Sequence, residues 1–421
     1  MKLSSSAFSA FLSGAVLVGP IFGSSSSYNE DDHHDILHGV PLRQSSLGNH
    51  DSCAIDNLNN LKCWGDIYGV SKPTLISLDS EDATYATQIS LGGYHACAID
   101  NLNNLKCWGS NYHGQIGDGT TVDKSTPTLI SLHAEDAIYV TQIELGGAHS
   151  CAIDNLNGLR CWGENFYGQL GDGTYRNKKS ATNIISLGDD ETSYATHIAL
   201  GRRHTCAINN FNSLLCWGGN LFGQLGDGTL VDKIVPTTIS IDDNETNYAT
   251  QIALGQFHTC AIDNFNNLKC WGQNFFGQIG DGTNLNMRVM PTTISLGDDE
   301  ATYPTKIALG GDHTCAIDNL NNLKCWGKNW YGEVGDGTND LKDSPTNILL
   351  GDDETADATH IALGRFHTCA IKDSNMIFCW GQNKHGEIGD GTDVDKYEPT
   401  LIPLDQPFLD GGNIKEERAF N

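Results

Sequence analysis

One pattern occurs seven times along the chain, and it limits the possible folds more than any other feature of the sequence. Each copy contains two cysteines, and the first cysteines of successive copies are separated by 44, 54, 55, 54, 55 and 54 residues. Repeats of this length that carry short strand-like runs are typical of propellers and solenoids, not of separate domains. We therefore expect one repeat architecture over residues 40–405, although 421 residues would otherwise suggest two or three domains.

Each copy contains four short runs with the composition and alternation of β-strands. In the second copy these runs are residues 87–92, 95–100, 105–109 and 126–132. Four strands make one propeller blade, and seven blades close a ring without leaving long exposed sheet edges. The sequence therefore predicts an all-β, seven-bladed β-propeller of four-stranded antiparallel blades. A β-solenoid is the alternative, but its strands are parallel, whereas the second and third strands here form a hairpin.

The hairpin between the second and third strands determines which side chains share a face. If Cys97 pairs with Cys107, the loop is three residues long, and alternation places Trp108 on the other face, opposite Ala96. In every copy the tryptophan lies opposite Ser, Ala or Thr. A large ring over a small residue would fill the space between adjacent blades.

All fourteen cysteines form pairs with a spacing of ten residues. The pairs are Cys53 and Cys63, Cys97 and Cys107, Cys151 and Cys161, Cys206 and Cys216, Cys260 and Cys270, Cys315 and Cys325, and Cys369 and Cys379. Zinc sites usually combine two close pairs, and redox enzymes use C-x-x-C, so neither explanation fits this spacing. The facing geometry instead predicts seven cross-strand disulfides and an oxidising compartment. The alternative is seven pairs of buried thiols in a cytosolic protein.

The repeat also resembles a known family. The runs LGRRHTCAINNFNSLLCWGGNLFGQLGDGT (200–229) and LGQFHTCAIDNFNNLKCWGQNFFGQIGDGT (254–283) resemble the repeat of the regulator-of-chromosome-condensation family. The resemblance implies a seven-bladed β-propeller. The paired cysteines resemble those of the extracellular or bacterial-type repeats in this family. Its members include a nuclear guanine-nucleotide exchange factor, modules of ubiquitin ligases and a secreted inhibitor of β-lactamases, so the fold alone does not define the function.

The first copy departs from the pattern. Between Trp64 and Pro73 it is about ten residues shorter than the second copy and lacks the GQIGDGT segment. It also has Asp51 where the other six copies have histidine. We interpret this unit as an irregular blade, or as the place where the two ends of the chain meet.

The residues that recur in the copies are better explained by folding than by chemistry. Six histidines begin the second strands, where packing with one hydrogen bond is more common than metal binding; they are His95, His149, His204, His258, His313 and His367. Six GDGT aspartates are turn residues first, because calcium needs about six to eight oxygens and each loop offers one carboxylate; they are Asp118, Asp172, Asp227, Asp281, Asp336 and Asp390. Since no catalytic arrangement occurs once only, we expect no enzyme, no cofactor and no metal.

The copies differ at the two residues before each histidine and at the two residues after the WGxN motif. Loop positions that the fold leaves free can carry recognition, and aromatic and arginine side chains are frequent anchors of interfaces. We therefore predict a ligand-binding face. Its candidate residues are Tyr94, Tyr112, Tyr167, Arg203, Phe257, Phe276, Trp330, Tyr331, Arg365 and Phe366. The alternative is that these aromatic residues pack between blades.

The connections from one copy to the next are strongly acidic. Six of them carry seventeen Asp and Glu residues, within 79–82, 135–136, 189–191, 242–245, 298–300 and 352–354. If these loops share a rim they would attract cationic partners or divalent ions, and otherwise they are solvated loops. Asn244 begins an N-x-[ST] sequence in one of them, which predicts a glycosylation site.

The chain ends and the net charge bear on the compartment. Residues 1–25 have the pattern of a secretory signal peptide, 26–39 of a polar linker and 406–421 of a C-terminal tail. The net charge of −27 would repel phosphate backbones and anionic membranes. We therefore expect a secreted or cell-surface monomer, with no membrane span and no nucleic acid partner; the alternative is a cytoplasmic protein.

These observations lead to two functional hypotheses. The first is a non-enzymatic secreted β-propeller that binds a protein or glycan ligand through loops on one face. The alternative is a guanine-nucleotide exchange factor or a related intracellular regulator of a small GTPase, and it rests on the family resemblance only.

Overall fold

The computed structural model describes residues 42–403 except 57, 80–83, 133–137, 189, 191, 243–245, 298–300, 352–356 and 374–375. The predicted signal peptide (1–25), linker (26–39) and tail (406–421) and the predicted glycosylation site Asn244 lie outside these residues. The described residues form seven antiparallel sheets, one for each sequence copy, as predicted. They contain no helix long and apolar enough to cross a membrane.

Consecutive strands form each blade. The strands of blades 1 to 3 are β1 (Leu42–Leu47), β2 (Asp51–Asp56), β3 (Leu61–Gly65), β4 (Val70–Leu75), β5 (Ala86–Leu91), β6 (His95–Asp100), β7 (Leu105–Gly109), β8 (Lys124–Ile130), β9 (Val140–Leu145), β10 (His149–Asp154) and β11 (Leu159–Gly163). The strands of blades 4 and 5 are β12 (Ala195–Leu200), β13 (His204–Asn209), β14 (Leu214–Gly218), β15 (Lys233–Ile239), β16 (Ala249–Leu254), β17 (His258–Asp263), β18 (Leu268–Gly272) and β19 (Arg288–Ile294). The strands of blades 6 and 7 are β20 (Pro304–Leu309), β21 (His313–Asp318), β22 (Leu323–Gly327), β23 (Lys342–Ile348), β24 (Ala358–Leu363), β25 (His367–Lys372), β26 (Met376–Gly381) and β27 (Lys396–Leu401).

The predicted hairpin register is confirmed. Cys97 pairs with Cys107 and Ala96 with Trp108, and β6 and β7 have the predicted bounds. All seven cysteine pairs form disulfides across their hairpins, with the two Cα atoms 4.1 Å apart in each pair. The fourth strand of this blade, β8, begins two residues earlier than predicted.

The third blade has an imperfect fourth strand. Thr182 N donates to Cys161 O and Ile185 N donates to Leu159 O, so the chain does run beside β11. Thr182 and Ile185 are three residues apart, whereas the matching residues of β8, Thr128 and Ile130, are two residues apart. One extra residue therefore bulges out of the ladder, which is why the third sheet has three strands instead of the predicted four.

The core lies between blades. Each buried cluster combines the disulfide of one blade with the tryptophan of the next, as with Cys206, Cys216 and Trp271. The seven repeat tryptophans are at most 2% exposed, and all second strands are buried along their whole length. The prediction that the tryptophans fill the space between adjacent blades is therefore confirmed.

The first strands of neighbouring blades contact one another around a central channel, and β1 contacts β24 to close the ring. Blade 1 forms all four strands from residues 42–75, so the C-terminal tail is not needed to complete it. The first copy is thus the place where the two ends of the propeller meet.

Candidate ligand-binding face

Two sets of loops lie on one face of the propeller, because the first-to-second and third-to-fourth connections of an antiparallel blade emerge at the same end. The inner loops, around the channel, are residues 48–50, 92–94, 146–148, 201–203, 255–257, 310–312 and 364–366. The outer loops are residues 66–69, 110–123, 164–177, 219–232, 273–287, 328–341 and 382–395. We call this the aromatic face.

A buried asparagine organises each long outer loop. Asn111 donates from Nδ2 to Asp118 Oδ1 (3.1 Å) and to Thr120 O (3.3 Å), and its Oδ1 accepts from Ile116 N (3.0 Å). The equivalent residues are Asn165, Asn220, Asn274, Asn329 and Asn383. These bonds fix the loop backbone, so the loop presents its variable side chains from a rigid frame.

The outer loops are also attached to the following blade. Trp162 Nε1 donates to Gln115 O at 2.9 Å, and the tryptophans of blades 4 to 7 and of blade 1 make the same bond to the preceding outer loop. Blade 1 lacks the long outer loop, and Trp108 donates instead to the Tyr68 hydroxyl at 3.1 Å. The irregular first blade therefore keeps this contact by a different residue.

The GDGT aspartates make the turns that the sequence predicts. Asp118 Oδ1 accepts from Thr120 N at 2.9 Å, and Lys124 lies 2.8 Å from Asp118 Oδ2. Burial opposes ionisation, but the hydrogen bonds from Lys124 and Thr120 outweigh it and lower the pKa of Asp118 to about 2. Blades 3 to 7 have the same ion pair, formed by Asp172 with Lys178, Asp227 with Lys233, Asp281 with Arg288, Asp336 with Lys342 and Asp390 with Lys396.

The repeat histidines are packed between blades. His95 Nε2 lies 3.0 Å from Ser150 Oγ of the next blade, which is the one hydrogen bond expected for a packing residue. The other pairs are His149 with Thr205, His204 with Thr259, His258 with Thr314, His313 with Thr368 and His367 with Ser52. Burial lowers the pKa of His95 to about 3, so the ring is neutral at physiological pH.

All ten predicted face residues lie in inner or outer loops of the aromatic face. Tyr112, Trp330 and Tyr94 are 77%, 53% and 45% exposed. The other seven are half-buried, because the inner loop of each blade contacts the outer loop of the preceding blade. The face is therefore partly exposed and partly packing, and both sequence interpretations apply to different residues.

The largest group of these residues surrounds a lysine that the sequence analysis did not select. Lys328 Nζ lies 4.6 Å from the ring centre of Phe366, 4.7 Å from Trp330, 5.5 Å from Tyr331 and 5.8 Å from Phe276. Lys328 is only 7% exposed. Cation–π contacts of this kind gain strength when the cation is removed from water. Blades 5, 6 and 7 therefore contribute to one continuous patch.

A second group forms where blade 4 meets its two neighbours. The Arg203 guanidinium lies 4.4 Å from the ring centre of Tyr167, and Arg202 lies 5.7 Å from that of Phe257. Phe222 contacts Phe257 with ring centres 5.1 Å apart. As in the first group, a basic side chain of one loop lies against rings of another.

The channel opens between these two groups into a cavity of about 370 Å³, lined by the inner-loop glycines and by Tyr94, Arg202, Arg203 and Arg365. Burial, together with the charges of Arg203 and Arg365, lowers the pKa of Arg202. Glu164, which also lines the opening, acts on Arg202 in the opposite direction but does not outweigh these effects. This opening is locally basic although the chain has a net charge of −27, and it would attract an anionic group.

Comparison with known proteins is consistent with this architecture. Residues 68–415 match the sequence description of the RCC1-like domain. This is well over half of the chain. The chain belongs to the RCC1-like domain family. The family resemblance of the repeats is therefore confirmed.

Two relatives of this RCC1-like domain are longer than the segment that they share with it. The ultraviolet-B receptor UVR8 of Arabidopsis thaliana is 29% identical over 289 residues, which cover 69% of this chain and 63% of UVR8. The human E3 ubiquitin-protein ligase HERC2 is 26% identical over 295 residues, which cover 69% of this chain and 6% of HERC2. The chain thus spans less than two thirds of either relative, so their activities do not transfer to it.

Solved structures share the fold. Yeast RCC1 (Prp20), seen bound to Kap60, has a TM-score of 0.70 and 19% identity, covering 91% of each chain. Human WBSCR16 has a TM-score of 0.68 and 21% identity, covering 79% of this chain and 85% of its own. At these identities the likeness concerns the RCC1-like propeller alone.

Sequence reasoning missed Lys328 although a signal was available. The third residue of the WGxN motif varies between copies, as the selected positions do. The other residues there are Ser110, Glu164, Gly219, Gln273 and Gln382. Because this position begins the outer loop, it faces the rings of the same loop. Comparing all variable positions of the RCC1-like repeat, and not only the aromatic ones, would have found it.

The predicted acidic loops leave the blades at the face opposite the aromatic face. Asn264, in a hairpin turn of that face, accepts from Tyr248 N at 3.0 Å and donates to Thr246 O at 3.2 Å. Asp242 pairs with Lys269 at 3.2 Å. Most residues of the acidic groups lie outside the described residues, so the negative rim stays a prediction.

Within the described part of the chain, one group of histidine and carboxylate side chains is close enough to bind a metal ion jointly. It consists of His50, His385 and Glu387, at the junction of blades 7 and 1. None of the three was selected from the sequence, because they come from opposite ends of the propeller.

Proposed function

We propose that this protein is a non-enzymatic, secreted RCC1-like propeller that binds a protein or glycan ligand through the aromatic face. The observation that carries the proposal is the continuous patch around Lys328. It combines exposed Trp330 with half-buried rings of three blades. Aromatic and basic side chains held in a rigid frame are the usual anchors of protein interfaces.

The chemistry of the channel opening on this face favours a ligand that carries an acidic group. Arg202, Arg203 and Arg365 surround the channel opening, and Lys328 and Lys384 lie against rings farther out. A protein carboxylate or an acidic sugar could reach the arginines while its apolar part contacts Trp330 and Tyr112. Complementary charge of this kind increases the association rate more than the affinity.

The seven disulfides support the proposal of secretion, since such bonds persist mainly in oxidising compartments. The signal peptide pattern in residues 1–25 and the N-x-[ST] sequence at Asn244 agree with it.

The alternative is a guanine-nucleotide exchange factor. Its support is the fold likeness to yeast Prp20, a protein studied for its binding to Gsp1p and histones. An exchange assay with small GTPases of the source organism distinguishes the two functions. Stimulated nucleotide release would favour the alternative.

The binding proposal is tested by capture of partners from the extracellular medium, with wild-type protein and with Trp330→Ser and Tyr112→Ser. Both residues are exposed, so we expect loss of partner binding with little change in stability. The matched controls are Leu102→Ser and Leu320→Ser, each 65% exposed in hairpin turns of the opposite face. A partner that is lost with the leucine variants and kept with the aromatic variants would contradict the proposed face.

A further inference from the structure

The junctions between blades bring the same three positions together around the ring. They are the second variable residue of an outer loop, the Gln or Glu two residues later, and the last residue of the next inner loop. The first five sets are His113, Gln115 and Ala148; Tyr167, Gln169 and Arg203; Phe222, Gln224 and Phe257; Phe276, Gln278 and Asp312; and Tyr331, Glu333 and Phe366. These five junctions hold rings, amides and an arginine at these positions, and the two carboxylates among them, Asp312 and Glu333, interact with Lys328.

The junction of blades 7 and 1 holds His385, Glu387 and His50 at these positions. His50 Nδ1 lies 3.0 Å from Glu387 Oε1, and the two imidazole centres are 4.9 Å apart. One imidazole nitrogen of His50, one of His385 and one carboxylate oxygen of Glu387 all lie within 4.8 Å of one another. At these three positions, no other junction in the described part of the chain has more than one imidazole.

The geometry points to a binding site for a divalent transition-metal ion of the zinc class, formed by His50, His385 and Glu387. Two imidazoles and one carboxylate are a ligand set that zinc accepts, with one coordination position left open. Because the aromatic face is at this end of the propeller, the open position faces solvent. The site is independent of the proposed ligand-binding function.

The surroundings of the three residues suit metal binding. Glu387 is fully buried, and its Oε2 accepts from His385 N at 2.8 Å, which orients Oε1 toward His50. The side chain of His50 is 16% exposed. Asp66 lies 3.7 Å from His385 Nδ1 and adds negative charge to the site. His385 is 45% exposed in its side chain, so it can move the short distance needed to complete coordination.

Burial opposes ionisation of Glu387, but the hydrogen bond from His50 and the other local interactions outweigh it, so its pKa is lowered and the carboxylate is ready as a ligand.

This junction is also where a metal would affect the fold most. Blades 1 and 7, unlike the other neighbouring pairs, are not consecutive along the chain, and they are joined by contacts such as Trp64 Nε1 to Glu387 O (2.8 Å) and Arg365 N to Gly48 O (3.0 Å). The ligands come from residues 337 positions apart along the chain. An ion that binds them in the folded state alone would hold the ring closed and stabilise it by mass action.

The test measures the thermal unfolding temperature and the calorimetric binding isotherm of the full-length protein without a polyhistidine tag. The protein is first treated with EDTA. We expect Zn²⁺ to raise the unfolding temperature, and Ca²⁺ and Mg²⁺, which prefer oxygen ligands, to leave it unchanged. An unfolding temperature unaffected by Zn²⁺ up to millimolar concentration would overturn the proposal.

The variants His50→Ala, His385→Tyr and Glu387→Gln copy residues that other junctions hold at the same positions, so each should fold. Each should weaken Zn²⁺ binding on the order of tenfold to a hundredfold or more, since even loss of an outer partner of a ligand has this effect. His113→Tyr, at the equivalent position of blade 2, is the matched control and should bind as wild type.

The sequence has further histidines, His33, His34 and His38, that could bind Zn²⁺ separately. A variant with all three replaced by alanine removes this contribution. We expect it to keep the Zn²⁺-dependent rise in unfolding temperature. If the rise disappears in this variant and survives in His50→Ala and Glu387→Gln, the proposed site is wrong.

Discussion

A ring of seven glycines determines how closely the blades approach at the channel. In each of these glycines a Cβ atom would lie about 2.6 Å from the carbonyl oxygen of the next glycine in the ring. The residues are Gly48, Gly92, Gly146, Gly201, Gly255, Gly310 and Gly364. The last contacts the first, so the ring is continuous. Glycine is required here for lack of space, not for an unusual backbone angle.

We expect Gly255→Ala to destabilise the protein. Its Cβ would lie 2.6 Å from Gly310 O and would also clash with the His258 ring. Overpacking of this kind typically costs about 1–3 kcal/mol. Gly297→Ala is the control, because no atom lies within 4 Å of its Cβ position. Urea unfolding of the two variants measures the difference, and equal stabilities would show that the inner ring can relax.

The histidine-to-hydroxyl pairs show how single residues depend on the neighbouring blade. Six junctions pair a histidine with Ser or Thr of the next blade. At the junction of blades 1 and 2 both partners are replaced, by Asp51 and Ala96. Asp51 Oδ1 instead accepts from Ile67 N of its own blade at 2.8 Å. Because Ala96 leaves no hydroxyl to bind, the substitution of histidine by aspartate does not orphan a polar group.

The buried histidines should make the protein sensitive to acid. Burial lowers the pKa of five of them to about 3 and that of His367 to about 4. In the unfolded chain histidine titrates near pH 6.5, so below this pH the unfolded chain binds protons that the folded chain does not. Each ring then removes up to about 1.4 kcal/mol of stability per pH unit.

Three buried carboxyls act in the opposite direction. Burial raises the pKa of Asp51, Glu144 and Glu333 to about 7, so protonation favours the folded state until the unfolded carboxyls protonate near pH 4. Six histidines against three carboxyls leave a net uptake of up to about three protons on unfolding, so we expect stability to fall markedly from pH 6.5 to about 4 and more steeply below it. Urea unfolding at several pH values measures this. His258→Gln should reduce the slope by about one proton, and equal stability at pH 7 and pH 4 would contradict the expectation.

At the scale of the element, the hairpin was the most predictable part of the fold. Its pairing follows from the ten-residue spacing of Cys260 and Cys270 and from strict alternation, which are local features of each copy. The bulge after Thr182 in blade 3 was less predictable. Blade 5 also has one extra residue, but there it lies in the outer loop and leaves β19 intact. Spacing alone does not say where an added residue is accommodated.

The binding face was predictable in part. Variability between copies identified Trp330 and Phe366 but not Lys328. The position of Lys328 holds mostly small or polar residues in the other copies, so it does not stand out as a binding position. His50 and His385 were missed for a different reason. These two residues lie close together only because blades 7 and 1 meet where the ring closes, and no local pattern in the sequence shows that contact.

Removal of one disulfide tests how much a hairpin depends on its covalent bond. Cys260→Ala with Cys270→Ala opens a short loop, which the chain-entropy relation values at about 2.5–3 kcal/mol. We expect a loss of this amount or more in urea unfolding without reductant, since the pair is fully buried and the alanines also leave a small cavity. An unchanged midpoint would show that packing of Trp326 against this pair already determines the hairpin.

At the scale of the whole molecule, charge is distributed unevenly. The chain has 52 acidic and 25 basic residues. On the aromatic face, Arg202, Arg203, Lys328, Arg365 and Lys384 lie against aromatic rings, but the outer loops of the same face also carry the GDGT aspartates. The described acidic residues Asp79 and Asp242 lie at the other face. The basic groups are concentrated at the channel opening, where three arginines meet one glutamate, so an acidic group of a partner should be attracted there and its association rate should decrease with salt.

The oxidation state of the whole molecule connects the fold to the compartment. The described residues include all fourteen cysteines, and none of them is free. Protein isolated from its natural source in the presence of an alkylating agent and denatured without reductant should show no reactive thiols. After reduction it should show fourteen, which serves as the internal control. Fourteen reactive thiols before reduction would contradict the proposed secretion and favour an intracellular regulator, because buried thiols that remain reduced indicate a reducing compartment.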